Sequence, residues 1–202
     1  MSRPRVSGLL SRWVKGRRHR RVLPDLKPGL TVLDIGCGLG ELCLRLPPGV
    51  RFTGIDREAA FIAHCRARYP GCTFLEGDFG ALRPQLPREA DAVLALAVLE
   101  HLPRPETLFQ AASDLLKPGG RLYVSTPAPA AGRWHALGAR MGLLSSWARE
   151  EHQALLHPAR IRALAGAAGL APFREERFLL GLNQFFIFIK PGGEPTDPPG
   201  RA

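Results

Sequence analysis

Long apolar runs are absent from this 202-residue sequence. No stretch approaches the ~18–20 residues that a membrane-spanning helix needs. Cysteine is sparse: Cys37, Cys43, Cys65 and Cys72 form no CxxC pair and no Cys/His cluster. That pattern speaks against a disulfide scaffold and a zinc module, and predicts free, buried thiols in a reducing compartment. Lysine is scarce too, and arginine carries nearly all the positive charge. Acid is missing altogether before Asp25, while Arg3, Arg5, Arg12, Lys15, Arg17, Arg18, Arg20 and Arg21 precede it. The formal net charge of +10 is therefore concentrated in an arm, and the rest of the chain is close to neutral. A basic body would point to a nucleic-acid groove, whereas a basic arm on a neutral body points to an appendage.

The length and the apolar fraction of 45% suit one domain with a sizeable core. In the arm, over residues 1–24, "VSGLLSRWVKGRRHRR" puts Leu9, Leu10, Trp13 and Val14 on one side of a helix, although Gly8 and Gly16 weaken it. Four roles stay open for it: a contact with an anionic membrane surface, a lid over the ligand site, an organelle transit peptide, or a solvated terminus.

From Leu30 onward the pattern is regular. "TVLDI", "RFTGID", "CTFLEGDF", "DAVLAL" and "RLYVSTP" read as strands. "GELCLRL", "REAAFIAHCRARY", "ETLFQAASDLL" and "PARIRALAGAAG" read as helices between and after them. "FREERFLLGLNQFFIFIK" reads as two antiparallel strands about a Gly-Leu-Asn turn. Strands alternating with helices predict an α/β fold with a doubly wound parallel sheet over residues 25–190. Residues 128–157 form an irregular segment placed to cap a substrate, with Trp134, Met141 and Trp147 as candidate walls. The tail 191–202 is expected to be disordered.

Three glycines at alternate positions, Gly36, Gly38 and Gly40, follow the first strand in "VLDIGCGLGE". Ligands of such sheets bind beyond the carboxyl ends of the strands, where strand order reverses. Bare backbone there admits a ligand closely. Asp34 ends the first strand, and Asp56 ends the second, where a carboxylate can accept both hydroxyls of a ribose. A dinucleotide fingerprint reads GxGxxG, but this turn reads GxGxG, and Glu41 stands where the third dinucleotide glycine belongs. A carboxylate is a poor neighbour for a pyrophosphate. A cationic cofactor without phosphates suits it, and S-adenosylmethionine is one.

With "VLDIGCGLGE", "FTGID", "FLEGDF", "VLEHL" and "LLKPGGRLYVSTP" in order, the sequence resembles the class I S-adenosylmethionine-dependent methyltransferases. The resemblance implies a Rossmann-like sheet of seven strands with the last antiparallel and helices on both faces. It also implies cofactor contacts at Asp34, Gly36, Cys37, Gly38, Gly40, Asp56, Arg57, Asp78, Phe79, Leu96 and Ala97. Asp34 would lie near the cofactor's amino group, Asp56 at the ribose, Asp78 and Phe79 about the adenine, and Leu96 and Ala97 near the methyl. His101 in "LEHL" and His152 in "REEHQ" are the candidate general bases. The pattern is nearest the ubiquinone-pathway O-methyltransferase branch, in which a metal site is built from Glu, two residues, then Glu-His. Here Ala97 takes the first of those positions, ahead of Glu100 and His101, so no metal is expected.

The implied activity is methyl transfer to a small-molecule acceptor, lipophilic or aromatic, on O or N. The alternatives are a nucleic-acid or protein methyltransferase using the arm, and a non-catalytic cofactor-binding module. Against a nucleic-acid partner, "LALA" stands where amino-group nucleic-acid methylation commonly has an "NPPY" or "DPPY" tetrapeptide. A cytoplasmic location is expected, with peripheral membrane contact and organelle import both left open.

Overall fold

The computed structural model describes residues 9–129 and 155–192. The strands are β1 (Thr31–Ile35), β2 (Arg51–Asp56), β3 (Thr73–Glu76), β4 (Ala90–Leu96), β5 (Leu116–Pro127), β6 (Ala171–Phe178) and β7 (Asn183–Ile189). They form one seven-stranded sheet in the order β3-β2-β1-β4-β5-β7-β6. β1 pairs in parallel with both β2 and β4, so strand order reverses beside it. β7 lies between β5 and β6 and is antiparallel to both. The doubly wound sheet and its terminal antiparallel hairpin are those the strand pattern predicts, and seven strands with the last antiparallel are what the family resemblance implies.

The helices are α1 (Leu9–Val22), α2 (Ala59–Arg68), α3 (Phe79–Leu82), α4 (Glu106–Leu115) and α5 (Pro158–Ala167). They cover both faces because the strands are apolar on both. Along β1, Val32 joins one core and Leu33 the other, as the two-residue strand period requires. Val22 of α1 and Ile62 and Cys65 of α2 fill the first core against Phe52 and Phe74. Leu108 and Phe109 of α4 and Ile161 and Leu164 of α5 fill the second against Val93 and Val124. The Lys190 ammonium donates to the carbonyls of Ser113 (2.7 Å) and Leu116 (2.8 Å), closing the carboxyl end of α4 from the end of β7. Among the described residues, no helix is long and apolar enough to cross a membrane.

Two local expectations need correction. "GELCLRL" yields only a 3-10 turn at Cys43–Arg45. Gly40 is left-handed at φ 66°, and Pro47 and Pro48 follow, so too few residues remain for a helix. The terminal hairpin turns over residues 179–182, not at Gly-Leu-Asn, and Asn183 begins β7. Phe185 and Ile187 must face one core while Phe186 and Phe188 face the other. That requirement sets the register of β7. It leaves Leu179 and Leu180 at the turn, with left-handed φ of 54° and 55°.

Candidate functional site

A cavity of about 400 Å³ opens at the carboxyl ends of β1, β2 and β4. Its floor is the glycine turn. The amides of Gly36 and Cys37 both donate to the Ile55 carbonyl, at 2.8 and 3.0 Å, which folds the turn back onto β2. Asp56 braces it further: Oδ2 accepts from the Gly38 amide (2.9 Å) and Oδ1 from the Glu58 amide (3.0 Å). Each Asp56 oxygen keeps a second lone pair for a ligand hydroxyl. Opposite, β4 ends in Leu96, and Ala97 turns the chain away with a left-handed φ of 64°.

The three glycines are not equivalent. A Cβ on Gly38 would meet nothing within 4 Å, so its open side is the cavity itself. A Cβ on Gly36 would stand 2.5 Å from Cγ2 of Val98, and one on Gly40 would stand 2.9 Å from Sγ of Cys65. Gly36 lets the turn pass the β4 loop, and Gly40, which does not line the cavity, lets it pass α2.

Of the residues expected to meet a cofactor, Asp34, Gly36, Cys37, Gly38, Asp56, Arg57, Phe79, Leu96 and Ala97 line this one cavity. Asp78 does not. It pairs with Arg57, accepts from the Gly80 amide (2.8 Å), and lines an adjoining cavity of about 340 Å³. Burial alone would raise the Asp78 carboxyl, but the Arg57 and Gly80 hydrogen bonds outweigh it and hold it below its usual value. His101 lines the main cavity. His152, Trp134, Met141 and Trp147 lie outside the described residues.

Asp34 is the unusual charge. It is buried, 6% exposed, and the described residues offer its carboxylate no hydrogen-bond donor. Burial first, and the neighbouring Asp56 second, push its carboxyl from 3.8 up to about 7, with Lys15 opposing. A buried carboxylate on a cavity wall without a donor favours a cation.

Sequence reasoning left the arm's role open and named no ligand contact on it. Lys15, Arg18 and His19 of α1 line the cavity, and Val22 one turn on is buried in the core. The spacing carries this signal: positions 15, 18, 19 and 22 share one helix face. Lys15 pairs with Glu41 at 3.0 Å, which anchors the helix to the glycine turn. Arg18 donates to Oδ1 of Asn183 at 3.2 Å, which anchors it to β7. Burial lowers the Arg18 guanidinium from its usual value, and Glu100 works against that shift. Burial, then Arg45 and Lys15, holds His19 down to about 4, so its imidazole is neutral at physiological pH. Glu100 is itself buried and accepts from the Thr126 hydroxyl at 3.0 Å, a structural contact.

The described residues contain no group of three or more His, Cys, Asp or Glu able to hold a metal ion. The four cysteines are free thiols. Burial raises Cys65 to about 11 and Cys37 and Cys43 further, so none of these three is a ready nucleophile.

Known proteins resemble this chain in sequence and in fold. Trans-aconitate 2-methyltransferase of Rhizobium meliloti is 40% identical over 108 residues, 52% of this chain and 41% of that protein. Ubiquinone biosynthesis O-methyltransferase of Cupriavidus pinatubonensis is 31% identical over 140 residues, 60% of this chain and 56% of that protein. The chain thus spans about half the length of the curated relatives it matches. The solved structure of magnesium protoporphyrin IX methyltransferase from Synechocystis PCC 6803, with bound SAH, has a TM-score of 0.68. It covers 94% of this chain and 90% of that one at 21% identity, a likeness of fold. Residues 10–174, most of the sheet and nearly all of α1, match the methyltransferase domain family. The chain belongs to that family of S-adenosylmethionine-dependent methyltransferase domains.

Proposed function

We propose that this chain transfers a methyl group from S-adenosylmethionine to a small-molecule acceptor. The observation that carries the reading is the pairing of Asp34, a buried carboxylate with no donor, with the bare face of Gly38 on one cavity wall. Asp34 would hold the cofactor's ammonium group, and the α1 cations Lys15 and Arg18 would hold its carboxylate. Asp56 would take the ribose hydroxyls, and Arg57 and Phe79 would border the base. Bound there, the cofactor supplies an electrophilic methyl on a sulfonium, and the neutral thioether released when the S–C bond breaks is already a good leaving group. The chain's own contribution is alignment, worth up to ~7–11 kcal/mol when the reacting atoms are held in line.

Val98 and Leu102 line the cavity together with His101, which supports a lipophilic or aromatic acceptor. His101 is the candidate base for an acceptor that must lose a proton. His101→Gln is expected to lower kcat by ~10²–10⁴ with the cofactor Kd unchanged. A loss of less than about tenfold would assign the imidazole to the cavity rim instead.

Two measurements test the whole reading. Calorimetric titration should give S-adenosylmethionine a Kd far below ~1 mM; no heat at that concentration would end the proposal. Incubation with labelled cofactor and a metabolite extract should give a labelled small product. Cofactor binding without any product would leave the non-catalytic module.

A further inference from the structure

We propose that the solvent face of α1, flanked by the β6–β7 hairpin tip and the 3-10 turn at Cys43–Arg45, docks this chain on an anionic lipid surface. Among the described residues four large hydrophobic side chains are left exposed: Trp13 (53%), Leu44 (63%), Phe173 (47%) and Leu180 (101%). Phe173 has the Arg121 guanidinium over its ring at 4.5 Å. The other three border one helix.

Trp13, Arg17 and Arg20 lie one helical turn apart and are all exposed, on the face opposite the buried Val22. Arg17 sits over the Trp13 ring at 5.2 Å. On one flank, Arg18 reaches Asn183 and Arg21 lies 3.9 Å over the Phe178 ring, so the hairpin tip bearing Leu180 stands beside the last turns of α1. On the other flank, Nη1 of Arg45 would lie 3.8 Å from a Cβ on Gly16, which brings the Leu44 turn alongside. The exposed surface thus runs along α1 from Trp13 through Arg17 to Arg20, with the Leu44 turn alongside near Gly16 and the Leu180 tip alongside near Arg21.

Two further features select the occupant. The described part of the patch is net basic: Glu41 and Glu176 pair with Lys15 and Arg21 at its flanks, but α1 contains no acid, and neither Arg20 nor Arg45 has an acidic partner among the described residues. A soluble apolar partner would not call for this charge, whereas an anionic headgroup layer does. Leu180 is also held in a left-handed conformation that side-chain-bearing residues avoid, next to Leu179 in the same state. A tight hairpin turn ordinarily uses Asn or Gly there. Fully exposed, Leu180 contributes no packing in return. An apolar side chain kept out of the core at a cost in backbone strain fits insertion among acyl chains. The helix is too short and too basic to span a bilayer, so the contact is superficial. Because the opposite side of α1 lines the cavity, docking would bring lipid close to its mouth.

The test is flotation of the full chain with vesicles of phosphatidylcholine, alone or with about one third phosphatidylglycerol. The expected result is binding only to the anionic vesicles, falling at least about tenfold as salt rises from ~0.05 to ~0.5 M. Trp13→Ala combined with Leu180→Asn should reduce the bound fraction by about tenfold or more, as should Arg17→Gln combined with Arg20→Gln. Asn tolerates the left-handed turn, so Leu180→Asn alone should melt no lower than the parent. Equal binding to neutral and anionic vesicles, no binding to either, or wild-type binding by both double variants would overturn the proposal. Capture of RNA or of a soluble protein by this face, with vesicles left unbound, would overturn it equally. None of these results depends on methyl transfer, and cofactor titration of the same variants reports separately on the cavity.

Discussion

Asp34→Asn is expected to weaken S-adenosylmethionine binding at least about 30-fold, while the ligand-free protein becomes more stable near neutral pH. The loss corresponds to about 2 kcal/mol or more, the scale of removing one partner from a buried charge pair. The gain has a different origin. Without a cation in the cavity, the carboxylate is desolvated and Asp56 repels it, so the amide is easier to bury.

The pH dependence follows from the same shift. Folding raises the Asp34 carboxyl from 3.8 to about 7, so the folded chain holds that proton more tightly than the unfolded one. The stability this contributes is fully present below the unfolded value and is lost as pH rises through about 7. The melting midpoint of the ligand-free parent should therefore fall relative to Asp34→Asn between about pH 4 and pH 8. Cofactor affinity of the parent should run the other way, rising as the carboxylate charges. A constant difference in midpoint across that range, or unchanged affinity in Asp34→Asn, would remove Asp34 from the site.

The second large effect separates two glycines only two residues apart. Gly36→Ala must adopt a φ of 72° and place its Cβ 2.5 Å from Cγ2 of Val98. Left-handed strain and overpacking together should cost about 2–5 kcal/mol of stability. Gly38→Ala has a φ of 55° but meets nothing within 4 Å. It should lose only ~1–2 kcal/mol of stability. Its new methyl projects into the cavity, so cofactor affinity should fall by at least about tenfold, or ~1.4 kcal/mol. Urea melts and calorimetry on the two variants read the two effects apart. Wild-type cofactor affinity in Gly38→Ala would mean that the ligand does not approach the turn there.

The alternation of apolar runs made the sheet legible, because a parallel strand buried on both faces and a helix buried on one leave different periods in the sequence. Val32 and Leu33, consecutive and both apolar, predict a strand with two cores, and α2 and α4 lie on those two faces. The glycine turn was legible for a similar reason, since glycines directly after a strand have few other uses. The hairpin turn was misplaced because Gly181 is the local turn former, while the register belongs to Phe185–Phe188, whose partners lie in β5 and two cores.

The sequence by itself determined the strand and helix pattern, the family motifs and the carboxylates at the ends of β1 and β2, all of which rest on neighbours close in the chain. Only the tertiary structure decided that α1 closes over the cavity, that Gly36, Gly38 and Gly40 face three different surroundings, and that Asp34 lacks a donor. Each depends on groups distant in sequence: Asn183 against Arg18, Val98 against Gly36, and the enclosure that strips water from Asp34. Desolvation and steric fit are sums over everything that surrounds an atom, and a linear pattern records only the part of that sum lying within a few residues.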